Sequence, residues 1–580
     1  MAGFLYIKKD IKGFSNEENG IDYSAPLKVF SKKKLELNVC FDKKGFKLFV
    51  FKKMFSNINN YYEFGNGDFI VVSGTFIYRG KTGIEGLKEL YFDFVSGSDF
   101  INYIKGNYCI LIYSDKKLFI FRDYFGYYPV YTTDDYSVIS PSYLALCFAI
   151  KNLNVSRHEF YEYLFNGYFY SEKTIFNEIN ILAEGKLIEI FPDFSSRRLT
   201  PKVEKSTIYK DFKKAVNEIS FDLLKYFKEI DDAFHNQIRT AISGGFDTRL
   251  MLACLLRLGI HPQVYVNGTP NSKDIQCAEE ISKGENLPLE IIHFYKWFDE
   301  IKNNYEEKIE ERFFFFDGLG AGGIFDNYSD YEYRVNNPVI NSLILNGAGG
   351  EIYRESWNLP NRNFSMNSYI QARYNKFDFS FCKSDFHKKE YFEVLKEKIY
   401  ISMGKKSKKI TRQEVEYLHP LRYKAAHFVF TILQQLNHFL MPFLEPKFIY
   451  KSYNIPLQWK LNGKFHVALM KNIYYELVKY ESAYGYNFMD PIPLRFKIKI
   501  FLDRNMPLAF RPVLRKFRKS RKLLIQKYGF SLLSPKYLER IFDLNDLFID
   551  RYIDVSLIKD QTILSRALSL EKLLRMCVDK

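Results

Sequence analysis

The rhythm of apolar and polar positions changes near residue 200. Before it, "KLFVFKKMF", "DFIVVSGTFIYRG", "YCILIYSD", "KLFIFRDYFG" and "YPVYTTDDYSVISP" are short β-branched and aromatic runs bounded by Gly, Asp and Ser. Such runs predict antiparallel strands joined by turns. "TIFNEINILAEGKLIEIFPD" predicts one more strand pair, and the polar, Pro-containing "SSRRLTPKVEKST" reads as a linker. Beyond it, "IYKDFKKAVNEISFDLLKYF" carries apolar residues at helical spacing. "QIRTAIS", "PQVYVNG" and "PLEIIHF" then alternate as strands with the helices "FDTRLMLACLLRLG", which ends at Gly259, and "DIQCAEEISKGEN". That alternation predicts a parallel sheet with covering helices. The remainder, to Lys580, reads as mostly helical. The expectation is a multi-domain α/β protein, with an antiparallel β-sandwich over residues 1–200 and a parallel-sheet domain with a helical C-terminal part over 201–580.

Composition adds limits. At 580 residues, 47% of them hydrophobic and 26% charged, the chain has material for two or three cores. Its 44 Tyr and 56 Phe are scattered and read as core. The net charge of +16 suits an anionic partner. The densest basic stretch, Arg511 to Lys527, reads either as a solvated helix face or as an attachment to an anionic membrane. No aromatic-glycine RNA-binding motif accompanies it, so nucleic acid is not expected. Seven dispersed cysteines without CxxC spacing predict reduced thiols, with neither disulfides nor zinc. The first residues lack a signal-peptide h-region, and no apolar run reaches the roughly 18 residues of a membrane span. These features predict a cytoplasmic protein.

The chemistry concentrates in Ser243-Gly244-Gly245-Phe246-Asp247-Thr248. A strand ends, two glycines turn, and a helix starts at once, so unpaired N–H groups and a partial positive charge face any bound phosphate. Ser243 and Thr248 add hydroxyls. The charge of Asp247 makes sense there if it holds Mg²⁺ against the phosphates. The loop lacks the Gly-Lys-Ser ending of a Walker loop, so γ-phosphate transfer is not the natural reading.

This loop resembles the Ser-Gly-Gly-x-Asp-Ser motif of the asparagine synthetase superfamily of N-type ATP pyrophosphatases. "LILNGAGGEIYRESW" is similar to the family's second motif, and "MPFLEPKFIYKSYNIPLQWKLNGKFHVALMK" to its Pro-Phe-Leu-Asp segment and the helix beyond. In the first half, "GNYCILIY", "FIFRDYFGYYPVY" and "TIFNEINILAEGKLIEI" resemble a class II glutamine amidotransferase core, an Ntn-type sandwich. The resemblance implies a PP-loop domain that adenylates a carboxylate with ATP and Mg²⁺ and releases pyrophosphate, after which ammonia or an amine displaces AMP. It implies Asp247 and Glu351 as metal ligands and catalytic residues. Ser243, Gly244, Gly245, Phe246, Asp247, Thr248, Val266, Asn346 and Gly347 are the implied nucleotide contacts. A pyrophosphate-binding cation falls among Lys464, Lys471, Arg495 and Lys497, and a homodimer is an open expectation.

The sequence also departs from the family. Its glutamine-dependent members begin Met-Cys-Gly, whereas this chain begins Met1-Ala2-Gly3, with no thiol to act as nucleophile. Cys40 and Cys109, inside strand-like runs, read as core. Ala348 replaces a Glu or Tyr of some members, and Glu351 replaces the usual Asp. The expectation is therefore an amide-forming ligase that does not use glutamine, similar to the β-lactam synthetase and lasso-peptide cyclase branches. Its substrates are then a small-molecule or peptide carboxylate and an amine. The alternative is a catalytically silent, nucleotide-binding partner subunit. A PP-loop enzyme acting on tRNA would want an RNA-binding module and thiol chemistry, and neither appears. "DGLGAGGIFDN", Asp317 to Asn327, approximates a dinucleotide fingerprint but lacks the helix and downstream acid, and reads as a loop.

Overall fold

Twelve antiparallel strands build the first part of the chain into two facing six-stranded sheets in the computed structural model, which describes residues 3–9, 23–199, 207–325, 330–355, 359–360, 362–374, 378–404, 409–418, 433–510 and 530–578. One sheet runs, in spatial order, Ile179–Ile181, Tyr131–Thr133, Val138–Ser140, Gly3–Lys8, Phe46–Phe51 and Leu37–Lys43. The other runs Ser195–Arg198, Lys186–Phe191, Lys117–Arg122, Ile104–Ser114, Phe69–Tyr78 and Tyr61–Glu63.

Phe69–Tyr78 is buried along its whole length, and side-chain alternation explains why. Phe69 and Val71 enter the core between the sheets with Phe4, Leu48 and Leu111. Ile70 and Val72 face the other way, packing with Leu87 and Leu90 of the helix Gly83–Val95. A strand with two covered faces needs the continuous apolar run that the sequence shows.

Two expectations change. Ser195–Arg198, inside the stretch read as a linker, pairs with Lys186–Glu189 as an edge strand, with Arg197 opposite Leu187. Exposed edges carry charged side chains, which hide the strand from a hydrophobicity reading. Cys109 is buried in the sandwich core, but Cys40 is exposed, because it sits on the outward face of the edge strand Leu37–Lys43.

The second sheet system is parallel. Its strands are β1 (Ile238–Ala241), β2 (Gln263–Asn267), β3 (Leu289–Ile292), β4 (Leu343–Leu345) and β5 (His438–Leu440), in the order β3-β2-β1-β4-β5. Thr240 sits opposite Val264 on one side and Leu345 on the other. The covering helices include α1 (Phe212–Phe234), α2 (Phe246–Arg257), α3 (Lys273–Gly284) and α4 (Lys464–Ile473). α1 buries Ala215, Ile219, Leu223, Phe227 and Ile230 as one stripe, and α4 packs on both α1 and α2.

The two parts are joined by buried contacts. Phe439 N, on β5, donates to Thr75 Oγ1 of the sandwich at 3.0 Å. The helix Gln561–Cys577 returns to the helix Arg157–Asn166, where Arg566 donates to the carbonyls of Leu164 and Phe165. The glycine run after Asp317 is a corner beneath that returning helix, with Ile324 N donating to Ser569 Oγ at 2.8 Å. Among the described residues, no helix is long and apolar enough to cross a membrane.

Candidate functional site

Strand order reverses between β1 and β4, and in open α/β sheets such a reversal leaves a crevice beyond the strand ends where ligands bind. Ser243–Thr248 leaves β1 there, and Asn346–Glu351 leaves β4. The two loops touch through glycine. A Cβ on Gly347 would lie 2.9 Å from Thr248 N, and one on Gly350 would lie 2.8 Å from Asp247 Cβ, so neither position admits a side chain without parting the loops.

Gly245 caps α2 without a side-chain hydrogen bond to the first-turn N–H groups. Ser243 Oγ and Thr248 Oγ1 lie 3.0 Å apart, closing the turn from within. Gly244 N donates to Asp274 Oδ1, from the first turn of α3, at 3.0 Å. An internal carboxylate therefore already uses one of the loop's donors. The Phe246 ring is buried and stacks on Phe488 at 4.2 Å, so its side chain is core. Its carbonyl accepts from His466 Nε2 at 3.1 Å. Burial, with Arg354 nearby, pushes the His466 imidazole down to about 3, which keeps it neutral at physiological pH.

Asp247 forms the centre of the charge pattern. Arg354 Nε donates to its Oδ1 at 3.1 Å and Arg354 Nη2 to its Oδ2 at 2.7 Å, a two-point fork. Both side chains stay about a fifth exposed to the crevice, at 22% for Arg354 and 20% for Asp247. Burial opposes the Arg354 charge, but Asp247 more than offsets it, so the guanidinium is held more firmly protonated than usual. Glu351 is buried and accepts from Gly349 N at 3.1 Å.

This donor set does not fit Mg²⁺ as it stands. The ion wants several free oxygens in octahedral array. Here both Asp247 oxygens are committed to a guanidinium, and Glu351 folds back onto its own turn. Among the described residues, the one close group of three or more potential metal-binding side chains is His158, Glu159 and Glu162. Lys398 Nζ already fills it, 3.0 Å from Glu159 Oε1 and 2.6 Å from Glu162 Oε2.

The remaining predicted residues scatter. Asn346 Oδ1 accepts from Ala348 N at 2.8 Å and shapes its own loop. Val266 is buried in the core on β2. Lys464 stands over the Phe212 ring at 5.1 Å. Lys471, Lys497 and Arg495 are exposed. Among the described residues, no hydrogen bond or ion pair ties any of these four cations to the loop. Arg354, Asp274 and His466 were missed by the sequence reading. The only signal for Arg354 was a cation three residues after Glu351.

Two further places bear on the chemistry. At the sandwich, Gly3 pairs with Phe51, two residues before Lys53. Lys53 Nζ is buried and donates to Gln434 Oε1 at 3.1 Å, to Asn437 O at 3.0 Å and to Gln434 O. Thr75 Oγ1 donates to the same Gln434 Oε1 at 2.6 Å. Burial, with no carboxylate beside it, drives the Lys53 amine well below its usual range.

Between the sandwich and the parallel-sheet part lies a cavity of ≈ 1210 Å³ lined by Lys105, Asn107, Tyr124, Tyr226, Leu444 and Glu445, among others. Glu445 Oε1 accepts from Gly106 N at 2.8 Å and Tyr226 Oη at 3.0 Å, and burial pushes its carboxyl up to about 7. Asn107 Oδ1 is buried there without a partner. Leu444 is a shared wall, because a Cβ on Gly349 would lie 2.6 Å from its Cδ2.

Residues 71–198 match the family model of a glutamine amidotransferase domain. The N-terminal part is therefore amidotransferase-like. No curated protein matches the chain. Among solved structures, it is similar to a glutamine phosphoribosylpyrophosphate amidotransferase from B. subtilis complexed with ADP and GMP. That match has 13% identity and a TM-score of 0.19, covering 50% of this chain and 65% of that one. An allosteric regulatory enzyme of purine biosynthesis matches at 13% identity and a TM-score of 0.21, covering 50% of this chain and 64% of that one. The chain thus spans a little under two thirds of each, and likeness at these scores does not define a shared fold.

Proposed function

We propose that the chain is an ATP-dependent, amide-forming ligase of asparagine synthetase type that does not draw its nitrogen from glutamine. A carboxylate oxygen attacks the α-phosphorus of ATP and the bond to pyrophosphate breaks. An amine then attacks the acyl carbon, AMP leaves, and the amine's proton passes to a base. The observation that carries this reading is the meeting of two glycine loops, Ser243–Thr248 and Asn346–Glu351, where the strand order reverses. Negative charge grows on the α-phosphate and pyrophosphate during the first step, and fixed positive groups stabilise it. Arg354 and the start of α2 are those groups here.

Ala2, at the motif position of the cysteine, supports a nitrogen source other than glutamine. So does the burial of Cys109, whose thiol is pushed up out of the reactive range. The amine is assigned to the cavity behind Leu444. Asn107 Oδ1 and Glu445 offer acceptors there, and a carboxyl titrating near 7 suits a group that takes a proton at neutral pH.

A second reading has its own support. Asp247 held in a fork by Arg354 is what a nucleotide-binding partner without turnover would show. The deciding experiment measures pyrophosphate release from ATP with pooled carboxylates, for wild type and Asp247→Ala, with nucleotide binding titrated on the same samples. Stimulated release that Asp247→Ala abolishes establishes adenylation. ATP bound but never cleaved establishes the partner reading, and no binding overturns both.

A further inference from the structure

Helix Leu494–Asn505 buries none of its residues. Its exposed apolar side chains are not scattered. Leu494, Ile498, Phe501 and Leu502 are 71%, 51%, 65% and 56% exposed, and at 100° per residue they fall within an arc of about 100°. Arg495 and Lys499 border this arc on one side and Lys497 on the other, all exposed. The opposite side holds the partly buried Phe496, Ile500 and Asp503, and Phe496 packs on Tyr486 with ring centroids 5.8 Å apart. The helix is thus fixed to the body by one face and presents a basic-rimmed apolar face outward.

We infer that this outward face docks on an anionic lipid surface. Charge complementarity selects the occupant. An apolar stripe flanked by Lys and Arg matches an interfacial helix, whose apolar side chains enter the acyl boundary while the cations reach anionic headgroups. The sequence keeps the same sign: the following Arg511 to Lys527 holds eight Lys and Arg and no acid, and the whole chain carries +16. Twelve residues make a helix of roughly 18 Å, against a hydrocarbon core of about 30 Å, so the helix lies along the surface rather than across it. Through Tyr486 the inward face of the helix adjoins the segment whose Ala483 N donates to Gly244 O at 3.1 Å, so the docking helix and the crevice loop share one neighbouring segment. The inference does not depend on the proposed reaction.

Co-sedimentation of the full chain with vesicles tests it. One set is phosphatidylcholine alone, and the other is equal parts phosphatidylcholine and phosphatidylglycerol. Binding to the anionic set, little to the neutral set, and loss at about 1 M salt, where the Debye length is about 3 Å, is the expected result. Ile498→Glu with Phe501→Glu removes binding. Lys497→Gln and Lys499→Gln each weaken it by about fivefold, the value of one basic residue near an anionic surface. All four positions are exposed, so circular dichroism and the melting profile should match wild type.

Wild type remaining in the supernatant overturns the inference. So does equal binding to both vesicle types, or binding that survives the double Glu substitution. Wild type sedimenting alone as a dimer that the double substitution dissociates, without vesicle binding, assigns the face to a second copy and also overturns it.

Discussion

The buried amine of the sandwich and the charged fork of the crevice treat polar groups in opposite ways. At Lys53 every proton goes to an oxygen of the protein itself, two of them on Gln434, and no charge partner is present. At Asp247 the charges are paired, but both partners remain about a fifth open to solvent. A place that satisfies its polar groups internally has no free donor for a ligand. A place that keeps a charged pair at its rim can exchange one partner for an incoming anion. The amidotransferase-like part therefore keeps its architecture with its interior filled here, and the parallel-sheet part keeps access.

The comparison breaks first at Arg354. Arg354→Leu removes a two-point charged contact and leaves Asp247 unpaired at the mouth. Charge-assisted hydrogen bonds contribute about 1.5–3 kcal/mol, so nucleotide affinity should fall by about 10- to 150-fold in a titration by calorimetry. Arg354→Lys keeps the charge but loses the fork, and should recover only part of that. Because the fork already commits Asp247, nucleotide affinity of the wild type should change little when EDTA is added. A steep loss in EDTA would mean that the metal displaces the arginine.

Lys53 tests the other side. Lys53→Met strands the acceptors on Gln434 and Asn437, at a cost of about 1–3 kcal/mol in urea unfolding at neutral pH. The sign of its pH dependence is fixed. A base whose folded pKa lies below its unfolded one is more protonated in the unfolded chain, so stability rises with pH until the ordinary lysine range is reached. Wild type should gain stability from neutral to alkaline pH, and Lys53→Met should lose that gain. Parallel slopes for the two proteins would show that burial does not lower the pKa of this amine.

Glu445 slopes the opposite way. Its folded pKa is raised to about 7 from the ordinary 4.5, chiefly by burial, so the folded chain holds a proton that the unfolded chain has released. Stability then falls as pH rises from about 4.5 to about 7 and levels above it. Glu445→Gln keeps an acceptor for Gly106 N and Tyr226 Oη and removes this loss. It should stabilise the protein by about 3 kcal/mol at pH 8 and by almost nothing at pH 4. Asp123, raised to about 6 by burial, adds a smaller slope of the same sign that the variant retains.

The fold was largely legible, because long-range packing left local signs. Continuous apolar runs marked the twice-covered strands Phe69–Tyr78 and Ile104–Ser114, and Gly244-Gly245 marked the turn from β1 into α2. The site's backbone was legible for the same reason. Its charge pattern was not. Arg354 meets Asp247 across 107 positions and Asp274 reaches Gly244 across 30, and no local rhythm encodes such a meeting. Lys53 likewise carries no local sign of burial, since the segment that buries it lies nearly four hundred residues away. The basic stretch Arg511 to Lys527 lies outside the described residues, as does Ala2.

The smallest expected effect separates strand faces. Cys40 and Cys109 both lie in strands of the sandwich, and alternation puts the first outward and the second between the sheets. An aromatic disulfide reagent should modify Cys40 in the native protein while Cys109 reacts only on unfolding. Cys40 should still be slower than a free thiol, because partial burial holds its pKa above the usual value and lowers the thiolate fraction at neutral pH. Cys40→Ser should remove the fast phase with no measurable change in stability, as its side chain fills no core. If Cys109 instead reacted natively, at a rate matching local opening, the sandwich would breathe along Ile104–Ser114. The filled interior around Lys53 would then be no more closed than the crevice.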